Sequence, residues 1–301
     1  MIVVLPHSRT SVSYTYLSSL VADYLVHHLT PTSPLSLSSA LSILPSTRYG
    51  LTLNPRFGSI DGFRETETTG ELALFRLCGV ELVHGWVVDP QDEETWSGVV
   101  EGCGDYDTAV ERVVEGEILG GGTGAGEGEE DMVREVERRS QWTSKEERQV
   151  HQGAFLASRR RREANEINAA HLIRQFLDAT RTQLTYHGLF LLSSHLPSSS
   201  LSALFRNSHL SVLYRAPALG SRPTLFTLVT DSTFVGEREV VWESLEDVEG
   251  SAGEFWDGGL RRARVRGGDW VGRERDEGAV RERREEEQVA RTSMGSRPAN
   301  E

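Results

Sequence analysis

Cysteine, lysine and long apolar runs are what this chain has least of. Among its 301 residues only Cys78 and Cys103 carry thiols, far apart and in different contexts. No disulfide framework and no CxxC metal pair can be built from them. The nine histidines are scattered without HxxxH spacing, which argues against zinc. Lysine occurs once, at Lys145, and arginine supplies the other 31 basic residues. With glycine abundant and Asn and Ile scarce, codon bias accounts for this better than protection from lysine modification. The opening Met1-Ile2-Val3-Val4-Leu5 is too short and lacks the basic flank of a signal peptide, and no later stretch approaches a membrane span. There is no P-loop and no GxGxxG. The glycine-rich run from Gly120 to Gly126 follows no strand and carries no lysine, so it reads as linker.

What remains is 38% hydrophobic and 26% charged, enough for one sizeable core with tails. The net charge of −13 makes nucleic acid a poor partner, because the chain gains little from a phosphate backbone. A partner with a basic face would suit it, although solubility explains any single acidic run. Two unpaired cysteines suit a reducing compartment, the cytosol or nucleus.

Apolar periodicity predicts a helix over residues 13–29, with Leu17, Leu20, Val21, Tyr24, Leu25 and His28 on one face and Ser11 or Ser13 as cap. A second short helix is expected from Leu35 to Leu44, broken at Pro45, and another from Glu71 to Leu77. Residues 50–60 read as extended, and Val80 to Val88 as a strand. From 116 to 164 few apolar residues and many charges predict a disordered insertion, with a solvated helix over 130–162 as the alternative. Asn165 to Leu192 reads as one long helix with Ile173, Phe176, Leu177, Thr180 and Leu184 in its apolar stripe. Leu201–Tyr214, Thr224–Thr230 and Ser232–Trp242 read as strands. Beyond Trp256 the chain turns Arg/Glu-rich, and 258–301 is expected to be a disordered tail. Helices first and strands later suggest an α+β fold.

A thiol hydrolase needs a cysteine beside a histidine base, with donors for the oxyanion. Cys78 lies in Phe75-Arg76-Leu77-Cys78-Gly79-Val80, an apolar context in which cysteine behaves as a small core hydrophobe. Cys103 lies in Gly102-Cys103-Gly104-Asp105, where carboxylates blunt a thiol. His209 is set among polar residues within a strand pattern, Phe205-Arg206-Asn207-Ser208-His209-Leu210-Ser211. His84 and His187 are further candidates, and each of the three could equally be structural.

Several strings taken together carry more. They are Arg56-Phe57-Gly58-Ser59-Ile60-Asp61-Gly62-Phe63; Leu82-Val83-His84-Gly85-Trp86-Val87-Val88-Asp89-Pro90-Gln91; Gln183-Leu184-Thr185-Tyr186-His187-Gly188-Leu189; and Leu204 to Ser211. Leu228 to Asp231 and Val240 to Leu245 follow. In this order and spacing the chain resembles the MINDY family of deubiquitinases, over about residues 10–115 and 165–257. The resemblance implies a papain-like α+β cysteine protease domain within residues 1–257, interrupted by the 116–164 insertion. It implies no cofactor, no metal and no nucleic-acid or membrane partner. The expected partners are ubiquitin and polyubiquitin chains, trimmed from the distal end by a monomer in the cytosol or nucleus, with the proteasome-targeting linkage preferred. His209 matches the family's catalytic histidine. Arg206, Asn207, His84, Trp86 and His187 are candidates for ubiquitin contact or for supporting the site. The family's nucleophile sits in a Gln-Asn-…-Gly-Pro-Cys block, which Met1 to Thr10 do not contain. The expectation is a domain truncated at its N-terminus; the alternative is a ubiquitin-binding pseudoenzyme. Glu285 to Ser293 also faintly resembles a ubiquitin-interacting helix, although a solvated acidic run is preferred.

Overall fold

Helix α1 spans Tyr14–His28, α2 Pro34–Ile43 and α3 Glu71–Cys78 in the computed structural model, which describes residues 11–28, 34–65, 70–120, 145–218, 220 and 222–265. Ser13 Oγ accepts from the Tyr16 N–H at 3.2 Å, the N-terminal cap that the sequence predicts. Pro45 lies in a 3₁₀ turn, Leu44–Arg48, that ends α2. Gly79 ends α3 in the left-handed conformation, φ 63°, a position that favours glycine. The three helices close over Leu25, Ala40, Leu44, Leu74 and Cys78.

Contact density divides the chain into two compact units. The first takes in residues up to Leu228 together with Trp242–Glu254. It holds strands β1 (Leu82–His84), β2 (Ser200–Arg206), β3 (His209–Arg215), β4 (Leu225–Leu228) and β5 (Trp242–Ser244). β1 pairs parallel with β2, and every later neighbour is antiparallel. One sheet face buries Val83, Leu204, Leu213 and Leu225 against Leu184, Leu192 and Leu196. The second unit holds a 3₁₀ turn at Ser232–Phe234 and the short strand β6 (Phe255–Trp256). The rings of Phe234 and Phe255 sit 4.7 Å apart there.

Two more helices pack in the first unit: α4 (Tyr106–Gly120) and α5 (Lys145–Ala179). Gly116 permits their close approach, since a Cβ there would come within 2.2 Å of the Ala170 Cβ. Phe57, Trp86, Val99, Ala109, Ile173 and Phe176 form the core beside them. Phe57 meets Trp86 and Phe176 edge-on, with ring centroids 5.2 and 5.3 Å apart.

Several expectations need correction. The segment 116–164 is helical at both ends: Gly116–Gly120 complete α4, and Lys145 to Ala164 open α5. Residues 121–144 lie outside the described set. The helix expected over Asn165–Leu192 is two helices. α5 stops at Ala179, residues 180–185 turn, and α6 runs Tyr186–His195. Thr185 starts α6, its Oγ accepting from the Gly188 N–H at 2.9 Å. The strand expected over Leu201–Tyr214 is the β2–β3 hairpin. The strand expected over Ser232–Trp242 reduces to a 3₁₀ turn and the first residue of β5. The tail is organised as far as Val265: Asp257 accepts from the Gly259 and Arg261 amides, and the Ala263 N–H donates to Phe255 O at 2.8 Å. Residues 266–301, including the acidic run from Glu285, lie outside the described set.

Candidate functional site

Three of the family-like strings interlock in one joint. His84 N–H donates to Ile60 O at 2.8 Å and Val88 N–H to Phe57 O at 2.9 Å, fixing Arg56–Phe63 along β1 and its extension. Thr185 N–H donates to Gly85 O at 3.0 Å and Thr185 Oγ–H to Val87 O at 2.6 Å. The start of α6 abuts the Gly85 backbone, and a Cβ on Gly188 would come within 1.9 Å of Gly85 O. These glycines serve close backbone approach.

That joint consumes two of the candidate residues. His84 is 1% exposed; its Nε2–H donates to Gly62 O at 3.0 Å and its Nδ1 accepts from the Trp86 N–H at 3.1 Å. Burial lowers its pKa to about 4, against smaller opposing effects from the Gly62 carbonyl and Asp61. A neutral ring with both nitrogens committed has no lone pair for a substrate. Trp86 is 4% exposed, and its indole N–H donates to Thr180 Oγ at 2.7 Å. Of the two roles the sequence offers them, ubiquitin contact or support of the site, their burial in the core removes the first. His187 lies on α6, half-buried, with Nδ1 4.0 Å from Asp89 Oδ1.

Neither thiol is poised for attack. Cys78 is buried in the helical core, and burial raises its pKa. Cys103 follows a π-helical segment, Trp96–Glu101, and its Sγ–H donates to Val99 O at 2.8 Å. Burial pushes its pKa up to about 11, with Asp105 adding to the rise. Asp105 itself accepts from Asn54, Arg64 and the Thr108 amide. Burial raises its pKa, but those bonds outweigh it and hold the carboxyl below its usual range. Cys103 thus sits in a bonded corner.

His209 stands apart from these. It opens β3, exposed, paired with Arg206 across a two-residue turn. Asn207 and Ser208 form that turn with φ 52° and 59°, the left-handed pair that a type I′ hairpin requires. Asn takes such a conformation readily; for Ser it costs about 1 kcal/mol. Arg206 braces the turn from below. Its Nε–H donates to Thr182 O at 2.9 Å and its Nη2–H to Val248 O at 2.7 Å. Burial lowers the Arg206 pKa, while the carboxylates of Asp247, Glu243 and Glu249 oppose that. The imidazole of His209 makes no hydrogen bond within the described residues.

The sequence reading missed one member of this arrangement, Gln183. It sits in the turn between α5 and α6 with φ 52°, and its Oε1 accepts from the Ser208 N–H at 3.3 Å. No sequence pattern points to Gln183, because it acts on a backbone amide brought near only by the fold. Among the described residues no three His, Cys, Asp or Glu side chains converge as a metal site, and no helix is long and apolar enough to cross a membrane.

Fold and site together define an α+β protein with one solvent-facing candidate base and two withdrawn thiols. The family model described as MINDY deubiquitinase matches residues 2–260, and the chain belongs to that family. Ubiquitin carboxyl-terminal hydrolase MINDY-1 of Danio rerio is 33% identical over 226 residues, 75% of this chain and 33% of the relative. The human MINDY-1 is 30% identical over 217 residues, 72% of this chain and 35% of the relative. Ubiquitin carboxyl-terminal hydrolase MIY1 of Saccharomyces cerevisiae is 28% identical over 263 residues, 87% of this chain and 60% of the relative. The chain thus spans about a third of the length of the MINDY-1 relatives.

Proposed function

We propose that this chain is the histidine-bearing, ubiquitin-recognising body of a thiol-dependent deubiquitinase with a papain-like plan. The observation that carries this reading is the selection among histidines: His84 is sealed in the core, whereas His209 projects from a braced hairpin within the matched family region. In the reaction, His209 takes the proton of a cysteine thiol as sulfur attacks the isopeptide carbonyl. It then gives that proton to the departing lysine amine as the C–N bond breaks, leaving a thioester that water hydrolyses. The substrate class is polyubiquitin of the proteasome-targeting linkage, trimmed from the distal end by a monomer, and a reducing cytosol suits a free thiol.

The thiol in this scheme is neither Cys78, which is buried in the helical core, nor Cys103, whose Sγ–H is bonded to Val99 O; burial raises the pKa of both. The same observation favours a second reading, in which the chain binds ubiquitin without cleaving it. A ubiquitin-based thiol probe separates the sources of activity. It is expected to leave Cys78 and Cys103 unlabelled at neutral pH, while polyubiquitin still binds the chain in a titration. Labelling of either cysteine would overturn the assignment of the thiol, and absence of binding would overturn ubiquitin recognition.

A further inference from the structure

The turn between α5 and α6 is tied on two sides. Thr180 Oγ accepts from the Trp86 indole at 2.7 Å and donates to Phe176 O at 2.7 Å, and the Gln183 N–H donates to Thr180 O at 2.9 Å. The turn therefore rests on the aromatic core. On its other side it receives two bonds from the β2–β3 hairpin: Arg206 Nε–H to Thr182 O, and Ser208 N–H to Gln183 Oε1. Gln183 holds a left-handed backbone, φ 52°, where glutamine is disfavoured and glycine or asparagine would be at ease. Three non-glycine residues with positive φ, Gln183, Asn207 and Ser208, thus meet at one contact. Strain of this kind persists where surrounding structure over-determines it, and it gathers at functional sites.

We propose that Gln183 is a positioning residue for His209: its side-chain oxygen takes the Ser208 amide proton and so holds the turn that aims the imidazole. Arg206 fixes the base of the hairpin, and Gln183 fixes its tip. Without Gln183 the Ser208 N–H would turn to water, and the two left-handed residues would be free to relax. The inference rests on the reading of His209 as the base, but the tether can be measured in this chain without any cleavage.

The test compares Gln183→Gly, Gln183→Asn and Gln183→Glu with wild type by amide hydrogen exchange and by NMR of the His209 ring. Glycine relieves the positive φ and asparagine tolerates it, so both variants should fold; neither reaches Ser208. Exchange of the Ser208 amide is expected to quicken about fivefold in both, as the loss of one net hydrogen bond implies. The His209 ring signals should shift and sharpen with added motion, while those of buried His84 stay put. Glutamate keeps an acceptor of the same reach and should restore both readouts. Unchanged Ser208 exchange and His209 signals in the glycine and asparagine variants would overturn the proposal, as would failure of glutamate to restore them. Turnover by the chain joined to a nucleophile segment, with and without His209→Ala, tests the base, and exchange at Ser208 tests the tether, so the two readings fail separately.

Discussion

Acidification should destabilise this protein through His84. Its folded pKa is lowered to about 4 from the ordinary 6.5, chiefly by burial. The unfolded chain therefore binds a proton that the folded one refuses between those values. Stability is fully present above pH 6.5 and is lost as pH falls toward 4. The loss at pH 5 is about 2 kcal/mol, and the full window is worth about 3 kcal/mol. For a body of this size, 2 kcal/mol corresponds to about 4–8 °C in Tm. The comparison variant is His84→Asn, whose oxygen can replace Nδ1 as acceptor for the Trp86 N–H. It leaves Gly62 O short of a donor, which costs about 1–3 kcal/mol at neutral pH. Urea unfolding of both proteins from pH 7.5 to 4.5 should show the wild-type advantage shrinking by about 2 kcal/mol by pH 5. Other carboxylates and histidines titrate in both proteins and cancel in the difference. Parallel pH profiles would refute the reasoning and mean that the ring is protonated, or hydrated, in the folded state.

Two further substitutions probe the local geometry. Ser208→Gly should raise stability by about 0.5 kcal/mol, as relief of the left-handed backbone outweighs glycine's unfolded-state entropy; a drop in the urea midpoint would contradict the hairpin assignment. Gly188→Ala should cost about 3 kcal/mol or prevent folding, because its Cβ would strike Gly85 O and force α6 off β1; a thermal melt matching wild type would show that the joint has slack.

How much was legible follows from what each segment buries. α1 and α3 could be read from the sequence because their apolar positions recur at helical spacing and their boundaries carry Ser13 and Gly79. The break at 180–185 could not be read, since Leu184 continues the stripe of Ile173 and Phe176 and only tertiary contacts assign it to the sheet-facing core. The hairpin was hidden because Asn207-Ser208 lacks the glycine that usually marks a type I′ turn. Residues 145–164 are poor in apolar side chains, so composition preferred disorder to the solvated helix it also allowed over 130–162, and helix forms from Lys145. At the site, residue chemistry left His84, His187 and His209 as equal candidates, and only the resemblance singled out His209. Burial distinguishes them: His84 is sealed in the core, bonded to Gly62 O and the Trp86 amide, and His209 faces water. Gln183 acts through a backbone amide, a role that no residue pattern announces.

The central claim is that His209 serves as the base for a thiol that these residues do not themselves provide. Its most direct test is cleavage of polyubiquitin by this chain joined in frame to a MINDY nucleophile segment bearing Gly-Pro-Cys, with His209 intact or replaced by alanine, beside the 301-residue chain alone. Both joined proteins should melt alike and bind polyubiquitin alike. The intact one should trim chains, the alanine variant should lose about a hundredfold or more in rate, and the unjoined chain should leave the polymer uncut. Near-normal trimming by a folded His209→Ala variant would contradict the account and pass the role to half-buried His187.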